Sequence, residues 1–374
     1  MTSDSTPDTD NQPTTAEECS TAETTNSISG VSRRNLLGAV GGLGVLTAGG
    51  YVSSNSSLAK STSSAQTGSA GSDEESLATA AFYRFRIGEF TLTAISDGVL
   101  TFPSSFYGLN ASSKALEQLL AANSLPTDTV TNQSIPLIVE TDENTVLIDT
   151  GFGSFDPTSI PTDAGKLAPT MELLDIGFDE IDTVILTHGH PDHIGGVVDG
   201  QGEPMFPEAR HVMWEADWDY WTSVVAPYDS ADDIAESNVS HRVAYETLLP
   251  LEEHDDVELD LISSEDGIVP GIQAIEAGGH TPGHMALEVS SGDERLLHTV
   301  DSAGHFLIAL EQPEWYGGFD VNPEEAIEVR RRLFDRAAAD RVATFAYHFP
   351  FPGVGRVAAN DDENNWEWIP ANVQ

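Results

Sequence analysis

Thr187-His188-Gly189-His190-Pro191-Asp192-His193 is the stretch of this sequence that decides the fold. It places three histidines and one aspartate within six positions, directly after the apolar run Val184-Ile185-Leu186. A short β-branched and aliphatic run predicts a buried strand that ends where these side chains begin. Imidazole and carboxylate are ligand types that suit zinc and similar divalent cations. A turn after the strand can aim residues 188 and 190 at one point and 192 and 193 at another. The stretch therefore predicts two metal ions, against the alternative of a polar loop with chance histidines.

The composition is strongly acidic, with 61 Asp and Glu against 16 Lys and Arg and a net charge of −45. The hydrophobic fraction of 39% and the regular apolar runs indicate a folded protein and not an acidic disordered one. Dispersed acid keeps a surface hydrated in concentrated salt, and at molar salt a Debye length of about 3 Å screens the self-repulsion. We therefore predict a halophilic, archaeal source. Nothing in the sequence forms a basic footprint, so nucleic acid is excluded as a partner.

Residues 1–59 are predicted to be a targeting region. Ser32-Arg33-Arg34 precedes a glycine-rich, moderately apolar stretch ending near Val52, which resembles a twin-arginine export signal. The alternative is a membrane anchor, but the 17 residues from Leu36 to Val52 are marginal for spanning a bilayer. Residues 60–79, rich in Ser, Gly and Thr, are predicted to be a flexible linker. We expect export by the twin-arginine route to the cell surface or medium, with no stable membrane insertion after cleavage.

Cysteine use limits the chemistry of the site. The single Cys19 lies upstream of the paired arginines, so the mature chain would contain no cysteine. Disulfides are then excluded, and a metal site must use nitrogen and oxygen ligands.

Strand and helix signals alternate from about residue 80 to the end of the chain. We predict strands at 82–87, 90–95, 135–140, 145–149, 184–186, 212–214, 272–276, 285–290, 295–300 and 342–347. Helices are predicted at 166–174, 215–224, 231–249 and 323–340, the last opened by Asn322 and Pro323. Two sheets with outer helices are the natural packing of these elements, and residues 80–374 are expected to form one domain.

Further candidate residues follow other strand-like runs. Asp149 ends the run Leu147-Ile148, and the glycine-rich turn Gly278–His284 carries His280 and His284. Asp301 follows the run 295–300, and His348 follows the run 342–347. Taken singly, an isolated histidine is usually a surface or hydrogen-bonded residue, and an Asp close to a Gly is usually part of a turn. The ordered set, each at a strand end, favours one shared site.

This ordered set resembles the metallo-β-lactamase fold superfamily and, within it, the methyl parathion hydrolase branch. The supporting stretches are 95–98, 187–196, 269–272, 279–284 and 349–355, and the similarity covers roughly residues 80 to 370. The resemblance implies an α/β fold of the αββα sandwich type, with two central mixed sheets flanked by helices.

By position, the resemblance assigns seven side chains to two divalent metal ions. One ion would be held by His188, His190 and His280, and the other by Asp192, His193 and His348. Asp301 would bridge the two ions, and Asp149 would orient a ligating imidazole from outside. His284 is expected to be structural, and five histidines are treated as non-ligands: His211, His241, His254, His298 and His305. Zinc is the expected metal, although manganese, cobalt and iron accept the same ligands.

The implied activity is that of a dinuclear metal-dependent hydrolase. A hydroxide between two metals about 3.5–4 Å apart would attack a carbonyl carbon or a phosphorus. Asp192 and Asp301 are the candidate catalytic residues, since either could move the proton afterwards. The expected substrates are neutral esters, lactones or organophosphate triesters, with a neutral lactone or carboxylic ester preferred. A homodimer is expected from the resemblance.

Aromatic side chains could form a wall for such a substrate. The candidates are Trp214, Trp218, Tyr220, Trp221, Trp315 and Tyr316. We expect at least half of these six to be ordinary core and helix packing instead. No cluster of Arg or Lys is available for a carboxylate or phosphate, which argues against glutathione thioesters and phosphodiesters.

Other function classes remain open at this point. A mononuclear iron, sulfur-dioxygenase-type enzyme shares the His-x-His-x-Asp-His pattern, and a glyoxalase II-like thioesterase has the same fold. A non-catalytic metal-binding protein is the remaining alternative. A redox di-iron protein would have Glu at position 190 and a flavin domain, and a nuclease of this fold would have a large insertion and a basic surface. The sequence has none of these features.

Overall fold

The computed structural model of the protein describes residues 82–155, 163–360 and 364–371. The predicted signal region, the linker and Cys19 lie outside the described residues. The first strand starts at Phe82, so the described part of the chain falls within the domain predicted for residues 80–374. Within the described ranges, no helix has the length and apolar character needed to cross a bilayer.

The described ranges contain sixteen strands. They are β1 (Phe82–Ile87), β2 (Phe90–Ile95), β3 (Gly98–Pro103), β4 (Thr129–Ser134), β5 (Leu137–Glu140), β6 (Thr145–Ile148), β7 (Thr183–Leu186), β8 (Arg210–Trp214), β9 (Glu258–Ile262), β10 (Gly267–Val269), β11 (Ile272–Glu276), β12 (Met285–Ser291), β13 (Glu294–His298), β14 (Ala343–Phe345), β15 (Val354–Asn360) and β16 (Asn365–Pro370). Seven helices accompany them: α1 (Ser113–Ala122), α2 (Leu167–Leu173), α3 (Pro191–Ile194), α4 (Glu215–Val225), α5 (Val239–Glu253), α6 (Phe306–Glu311) and α7 (Pro323–Asp340).

Two seven-stranded sheets form the centre of the described fold. The first has the order β1-β2-β5-β6-β7-β8-β9, and the second has the order β10-β11-β12-β13-β14-β15-β16. Both sheets are mixed: β6 to β9 are parallel neighbours in the first, and β13 and β14 are parallel in the second. Parallel neighbours end at the same edge of a sheet. The residues that follow β6 and β7 therefore lie side by side.

Side-chain alternation along the strands divides the interior into layers. In β7, Ile185 faces the space between the sheets, whereas Val184 and Leu186 face the helices on the other side. The layer between the sheets joins Ile148 and Ile185 of the first sheet to residues such as Leu287 of the second. Helices α4 and α5 cover the outer face of the first sheet, and α7 covers the outer face of the second. The predicted αββα sandwich is thus confirmed.

A small third sheet, which the sequence analysis did not predict, lies beside the sandwich. It pairs β3 with β4, and α1 packs against it through Leu116 and Leu120. Tyr107, in the connection between β3 and α1, belongs to the same apolar cluster as Ile308 of α6. This sheet and α6 therefore form a wall beside the edge at which the predicted ligands lie.

Several predicted elements have different bounds in the structure. The strand predicted at 295–300 ends at His298, and Val300–Ser302 form a 3-10 turn instead. The helix predicted at 231–249 is a 3-10 turn at Ala231–Asp233 followed by α5. The strand predicted at 342–347 covers only Ala343–Phe345. Because the strands predicted at 295–300 and 342–347 end early, Asp301 and His348 lie in connecting segments. Their side chains can turn inward there.

Candidate metal centre

The connection after β7 supplies four of the predicted ligands. α3 begins at Pro191. The first residue of a helix needs no N–H for the helix hydrogen bonds, so proline fits there. A Cβ at position 189 would lie 2.2 Å from Cδ1 of Trp221, so any larger residue would have to move either the turn or that ring. This tight turn and the first turn of α3 bring His188, His190, Asp192 and His193 to one edge of the sheet.

The second sheet supplies the other three predicted ligands. His280 lies in the turn between β11 and β12, and Asp301 lies in the 3-10 turn after β13. His348 follows β14, which runs parallel to β13 and so ends at the same edge. The two sheets therefore present their side chains to each other across one shared opening.

The first cluster consists of the ligand atoms of His188, His190, His280 and Asp301, which all lie within 4.8 Å of one another. Nδ1 of His190 is 3.0 Å from Nε2 of His188 and 2.9 Å from Nε2 of His280. Three ring nitrogens from three different rings thus point at one small volume. This is the arrangement expected of imidazoles that share a cation.

The second cluster consists of Asp192, His193 and His348, whose ligand atoms also lie within 4.8 Å of one another. Nε2 of His193 and Nε2 of His348 are each 3.6 Å from Oδ2 of Asp192. The structure thus brings together the three residues assigned to each ion by resemblance, and Asp301 groups with the first set.

The carboxylate of Asp301 lies between the two clusters. Its Oδ1 is 3.3 Å from Nε2 of His193, and its Oδ2 is 3.3 Å from Nε2 of His280. Oδ2 is also 2.9 Å from Nε2 of His348. Each oxygen therefore reaches at least one imidazole of the second cluster, and Oδ2 also reaches the first. Asp301 therefore lies within reach of imidazoles of both clusters, and its bridging of two ions stays a prediction.

Buried polar atoms without partners test whether a metal fits these residues. Among the described side chains, Oδ2 of Asp192, Nε2 of His193 and Oδ1 of Asp301 are buried and have no hydrogen-bond partner. An unpaired buried polar atom is costly, and an unpaired buried carboxylate oxygen especially so. All three atoms face the shared opening, and nitrogen and oxygen donors of this kind coordinate divalent cations. The residues present fit a pair of such ions.

The electrostatics of the cluster are dominated by burial and by opposite charges at close range. Burial, helped by neighbouring imidazoles, lowers the pKa of His188 and His190 well below the ordinary histidine value, so both rings are neutral. Burial also acts to lower the pKa of His193, but the attraction of Asp301, Asp192 and Asp149 outweighs it and holds that pKa well above its usual range. Burial acts to raise the pKa of Asp301, but His348 and His193 outweigh it, and the pKa lies well below the ordinary value. Asp301 is therefore ionised, as a cation ligand must be.

Three of the predicted histidine ligands have a polar partner at Nδ1, the ring nitrogen that is not in the clusters. Nδ1 of His193 lies 2.8 Å from Oδ2 of Asp149, which is the orienting contact expected for Asp149. Nδ1 of His280 lies 2.9 Å from Oδ1 of Asp320. Nδ1 of His348 lies 2.6 Å from the carbonyl oxygen of Gln133. A ring nitrogen held in this way fixes both the ring orientation and the nitrogen that faces the site.

Two residues of the site have backbone conformations that L-residues rarely adopt. Asp149 has φ of +60°, and Val300, a β-branched residue, has φ of +45°. The conformation at Val300 is held on both sides, because its N–H donates to Nδ1 of His298 and the next N–H, of Asp301, donates to Nε2 of His284. Outliers of this kind persist only where the surroundings fix them, and they cluster at functional sites. Here the outlier sets the direction of Asp301.

The remaining histidines do not join either cluster. His284 uses Nδ1 against the carbonyl of Ala277 at 2.8 Å and Nε2 against the Asp301 N–H at 3.1 Å, so its contacts are structural, as expected. The five histidines treated as non-ligands all lie outside both clusters: His211, His241, His254, His298 and His305.

Two carboxylates that hold a predicted ligand or the turns that carry the ligands had no signal in the local sequence. Asp320 holds His280, and Asp217 accepts hydrogen bonds from the two turns that carry the histidines of the first cluster. Asp97 is fully buried and accepts the N–H groups of Phe152, Gly165 and Leu167. The stretch containing Asp97 supported the resemblance, but neither Asp217 nor Asp320 stands out among 61 acidic residues.

A cleft lies beside the two clusters. His280 and Asp301 are part of its lining, and its apolar lining consists of Tyr107, Ile308, Ala309, Trp315 and Phe319, with Tyr316 beside them. Arg330 is the cationic side chain in this lining, and it is buried. Its guanidinium donates to the carbonyls of residues 302, 313 and 315 and lies 3.9 Å from Asp320. The cleft therefore offers aromatic surface but no free cation among the described residues that line it.

The six aromatic candidates divide as expected. Trp214, Trp218 and Trp221 are buried in the apolar layers, and Tyr220 packs against them. Only Trp315 and Tyr316 line the cleft. Tyr107 and Phe319, which were not among the candidates, complete the aromatic surface.

The family model of the metallo-beta-lactamase superfamily matches residues 129–347. This range holds every strand from β4 to β14 and six of the seven side chains of the two clusters, and it is more than half of the chain. The protein therefore belongs to the metallo-β-lactamase superfamily, as predicted.

Two kinds of relative show significant sequence similarity. A Mycobacterium tuberculosis protein named "Probable metallo-hydrolase" is 30% identical over an alignment of 187 residues that covers 45% of this chain and 56% of that protein. The chain thus spans about half the length of that relative. An N-acyl homoserine lactonase of Bacillus thuringiensis is 25% identical over an alignment of 232 residues that covers 56% of this chain and 79% of that protein.

Solved structures show the same fold. AidC, described as a dizinc quorum-quenching lactonase in complex with a product, has a TM-score of 0.68 and 24% identity, covering 79% of this chain and 98% of AidC. The hydrolase AbOPH has a TM-score of 0.67 and 21% identity, covering 79% of this chain and 99% of AbOPH. At these identities the likeness establishes the fold.

Proposed function

We propose that this protein is a metal-dependent hydrolase that uses two divalent cations to cleave uncharged lactones and carboxylic esters. The observation that carries the proposal is the pair of adjoining clusters, with orphaned buried atoms on Asp192, His193 and Asp301. Cations at these two positions would satisfy all three atoms at once.

Seven side chains would hold the two ions. His188, His190 and His280 would hold one, Asp192, His193 and His348 would hold the other, and Asp301 would contact both. When bound, two such ions lower the pKa of a water molecule and polarise the substrate oxygen, so no serine or cysteine nucleophile is required. Zinc suits the donor set, and the other first-row divalent metals accept the same ligands.

The residues of the chain have separate tasks in this reaction. Asp149, Asp320 and the Gln133 carbonyl keep three imidazoles in fixed orientations. The carboxylates of Asp192 and Asp301 line the opening and are placed to take up the proton released during hydrolysis. The buried walls around them exclude bulk water, which strengthens every charge interaction in the site.

The cleft favours an uncharged substrate with an apolar group. Its lining is largely aromatic and aliphatic, and Arg330 is buried, with Nε and Nη1 bonded to main-chain carbonyls and Nη2 3.9 Å from Oδ2 of Asp320. An anionic substrate would find no free cation in this lining, and the net charge of −45 opposes its approach at low salt. The lactonase relative from Bacillus thuringiensis supports a lactone as the first substrate to test.

A metal-loaded activity screen at high salt tests this proposal. The panel compares N-acyl homoserine lactones, aryl esters and phosphotriesters, with glutathione thioesters as a charged comparison. We expect turnover of lactones and esters that is lost on exhaustive chelation and in His190→Ala. Activity that survives either treatment would overturn the mechanism. Preferential turnover of phosphotriesters would instead support membership of the methyl parathion hydrolase branch.

Metal counting in the same samples separates the alternatives. Two metals per chain are expected. One iron per chain together with oxygen consumption would indicate a dioxygenase. Two bound metals with no turnover across the panel would indicate a metal-binding protein without catalytic activity.

We further propose that the protein is exported by the twin-arginine route and works outside the cytoplasm of a halophile. Ser32-Arg33-Arg34 and the following apolar stretch support export, and the dispersed negative charge supports a saline setting. Replacing Arg33 and Arg34 by Lys should leave the chain in the cytoplasm, as measured by fractionation. We also propose a homodimer, which light scattering after size-exclusion chromatography at high salt would test.

A further inference from the structure

Asp217 is a buried carboxylate to which the proposed function gives no task. It lies in the first turn of α4, it is fully buried, and the structure gives it no cationic partner among the described residues. Burying an ionised group is costly unless hydrogen bonds compensate it. The groups that donate hydrogen bonds to the Asp217 carboxylate therefore indicate its role.

The hydrogen bonds of Asp217 join the two turns that carry the histidines of the first cluster. Its Oδ1 accepts the N–H of Gly189, the residue between His188 and His190, at 2.8 Å. Its Oδ2 accepts the hydroxyl of Thr281, the residue after His280, and the N–H of Gly283 at 3.0 Å. One carboxylate thus ties a turn of the first sheet to a turn of the second.

The packing around Asp217 leaves these turns little freedom to separate or slide. A Cβ at position 283 would lie 2.3 Å from the backbone nitrogen of Asp217. A Cβ at position 189 would meet the ring of Trp221, one helical turn further along α4. Both histidine-bearing turns therefore lie directly on α4, one at Asp217 and the other at Trp221, and each has a glycine at the point of contact. The partial positive charge of the amino-terminal end of α4 further stabilises the carboxylate.

The second cluster is held by different groups. His193 is held by Asp149, and His348 is held by the Gln133 carbonyl. The backbone carbonyl of Asp192 accepts the hydroxyl of Tyr347 at 2.5 Å. None of these contacts involves Asp217, so the two clusters have separate supports.

We propose that Asp217 is a positioning residue that sets the distance between the two histidine-bearing turns and so determines the affinity for the first of the two metal ions only. The inference rests on the proposed function, since it concerns the metal ions of that same site. Removing one of its hydrogen-bonding oxygens should loosen His188 and His190 against His280 and leave Asp192, His193 and His348 in place.

The test compares metal affinity in wild type, Asp217→Asn and Asp97→Asn. Asp97 is the matched control: it is equally buried and accepts three backbone N–H groups, but it contacts neither histidine-bearing turn. Each protein is titrated with a competing chelator at high salt, with zinc counted per chain and Co²⁺ spectra recorded. Thermal unfolding of the metal-free proteins measures general damage to the fold.

We expect Asp217→Asn to weaken the binding of one of the two ions by about 10- to 100-fold and to leave the affinity for the other unchanged. This is the usual size of the effect when a group that hydrogen-bonds to the ligands is removed. Asp97→Asn should lower the unfolding temperature of the metal-free protein without changing either affinity. Thr281→Val, which removes only one donor to Asp217, should give a smaller change in the same direction, and it serves as the test if Asp217→Asn does not fold.

Three results would overturn the inference. They are equal weakening of both ions in Asp217→Asn, the same selective loss in Asp97→Asn, and unchanged affinities in both Asp217→Asn and Thr281→Val. With two ions still bound by wild type, each of these leaves the proposed function intact. A wild type that binds no metal at all would overturn both proposals together.

Discussion

Gly189 shows how tightly single positions are constrained at this site. The residue lies between two predicted ligands, its N–H donates to Asp217, and the Trp221 ring occupies the space that a side chain would need. Any larger residue at this position would have to move either the turn or the Trp221 ring. Because Trp221 is itself buried, we expect the turn to move and the histidines on both sides to move with it.

Gly189→Ala should therefore reduce hydrolysis strongly. A displacement of about 1 Å at a catalytic centre costs on the order of 100-fold in rate, and we expect a loss of about that size in kcat/KM. The matched control is Gly200→Ala, because a Cβ at that position would meet only the Ser154 hydroxyl at an ordinary 3.7 Å. Near-normal rates in Gly189→Ala would show that the turn can shift without disturbing the ligands.

Asp320 acts on one ligand directly, since it holds the far ring nitrogen of His280. Asp320→Asn should lower metal affinity or activity by about 10- to 100-fold, because the imidazole loses its fixed orientation and a partner that makes it more basic. Chelator competition and steady-state rates measure this effect. Asp335→Asn, an exposed position on α7, is the control and should change neither quantity. Equal effects of the two substitutions would contradict a role for Asp320 in holding His280.

Elements with a strong apolar pattern were predictable from the sequence, and elements that depend on distant partners were not. The buried positions of α7 recur with helical spacing, and β7 is a continuous apolar run, so both were predicted. The strand β4 contains Thr, Asn, Gln and Ser, and its pairing with β3 spans about 30 residues of chain, so no local signal identified it. The helix α1 did have a signal, since Ser112 caps it and Leu116 and Leu120 form its buried face.

The same distinction holds for the site. The predicted ligands at strand ends were found because each follows an apolar run that is recognisable in the sequence. Asp217 and Asp320 were not found, since their importance comes from burial and from contacts across the fold. Burial of one carboxylate among many exposed ones is a property of the tertiary structure, and local sequence does not encode it.

Helix α7 stabilises the outer face of the second sheet through Phe334, which is fully buried against Phe349 and Trp366. Phe334→Ala should lower the free energy of unfolding by about 3–5 kcal/mol, since it removes buried apolar surface and leaves a cavity. Denaturant unfolding at high salt measures the change. Leu173→Ala, at a residue that is 70% exposed, should change stability by less than about 0.5 kcal/mol. A loss below about 1 kcal/mol for Phe334→Ala would mean that α7 packs more loosely than described.

At the scale of the whole molecule, the proposed metal centre draws its side chains from both sheets. Four of its side chains come from the first sheet and three from the second. Bound ions should therefore stabilise the fold, by about 2.7 kcal/mol per ion when free metal is 100 times its Kd. Thermal unfolding with and without a chelator measures this, and His190→Ala should respond less than wild type. Identical unfolding of the metal-free and metal-loaded wild type would contradict the bridging of the two sheets by metal.

The net charge of −45 predicts a strong dependence of stability on salt. Raising KCl from 0.1 M to 1 M shortens the Debye length from about 10 Å to about 3 Å, so repulsion between surface carboxylates falls and the unfolding temperature should rise. Differential scanning calorimetry across this range measures the effect. A variant in which Glu252, Glu253, Asp255 and Asp256 are replaced by amides should show a smaller rise, since these side chains are exposed. A flat response in wild type would argue against adaptation to salt.

The order in which the ligands occur along the chain affects how the protein is made. The seven side chains run from residue 188 to residue 348, and the last of them follows β14, which pairs with β13 only after α6 and α7 have been synthesised. A nascent chain that has been synthesised as far as β9 contains only four of the seven side chains. It contains none of the three that come from the second sheet. Tight metal acquisition must therefore be a late event in biosynthesis, after most of the polypeptide has left the ribosome. A truncated product released before β14 would hold six of the seven side chains and would lack His348, which would leave the second cluster incomplete.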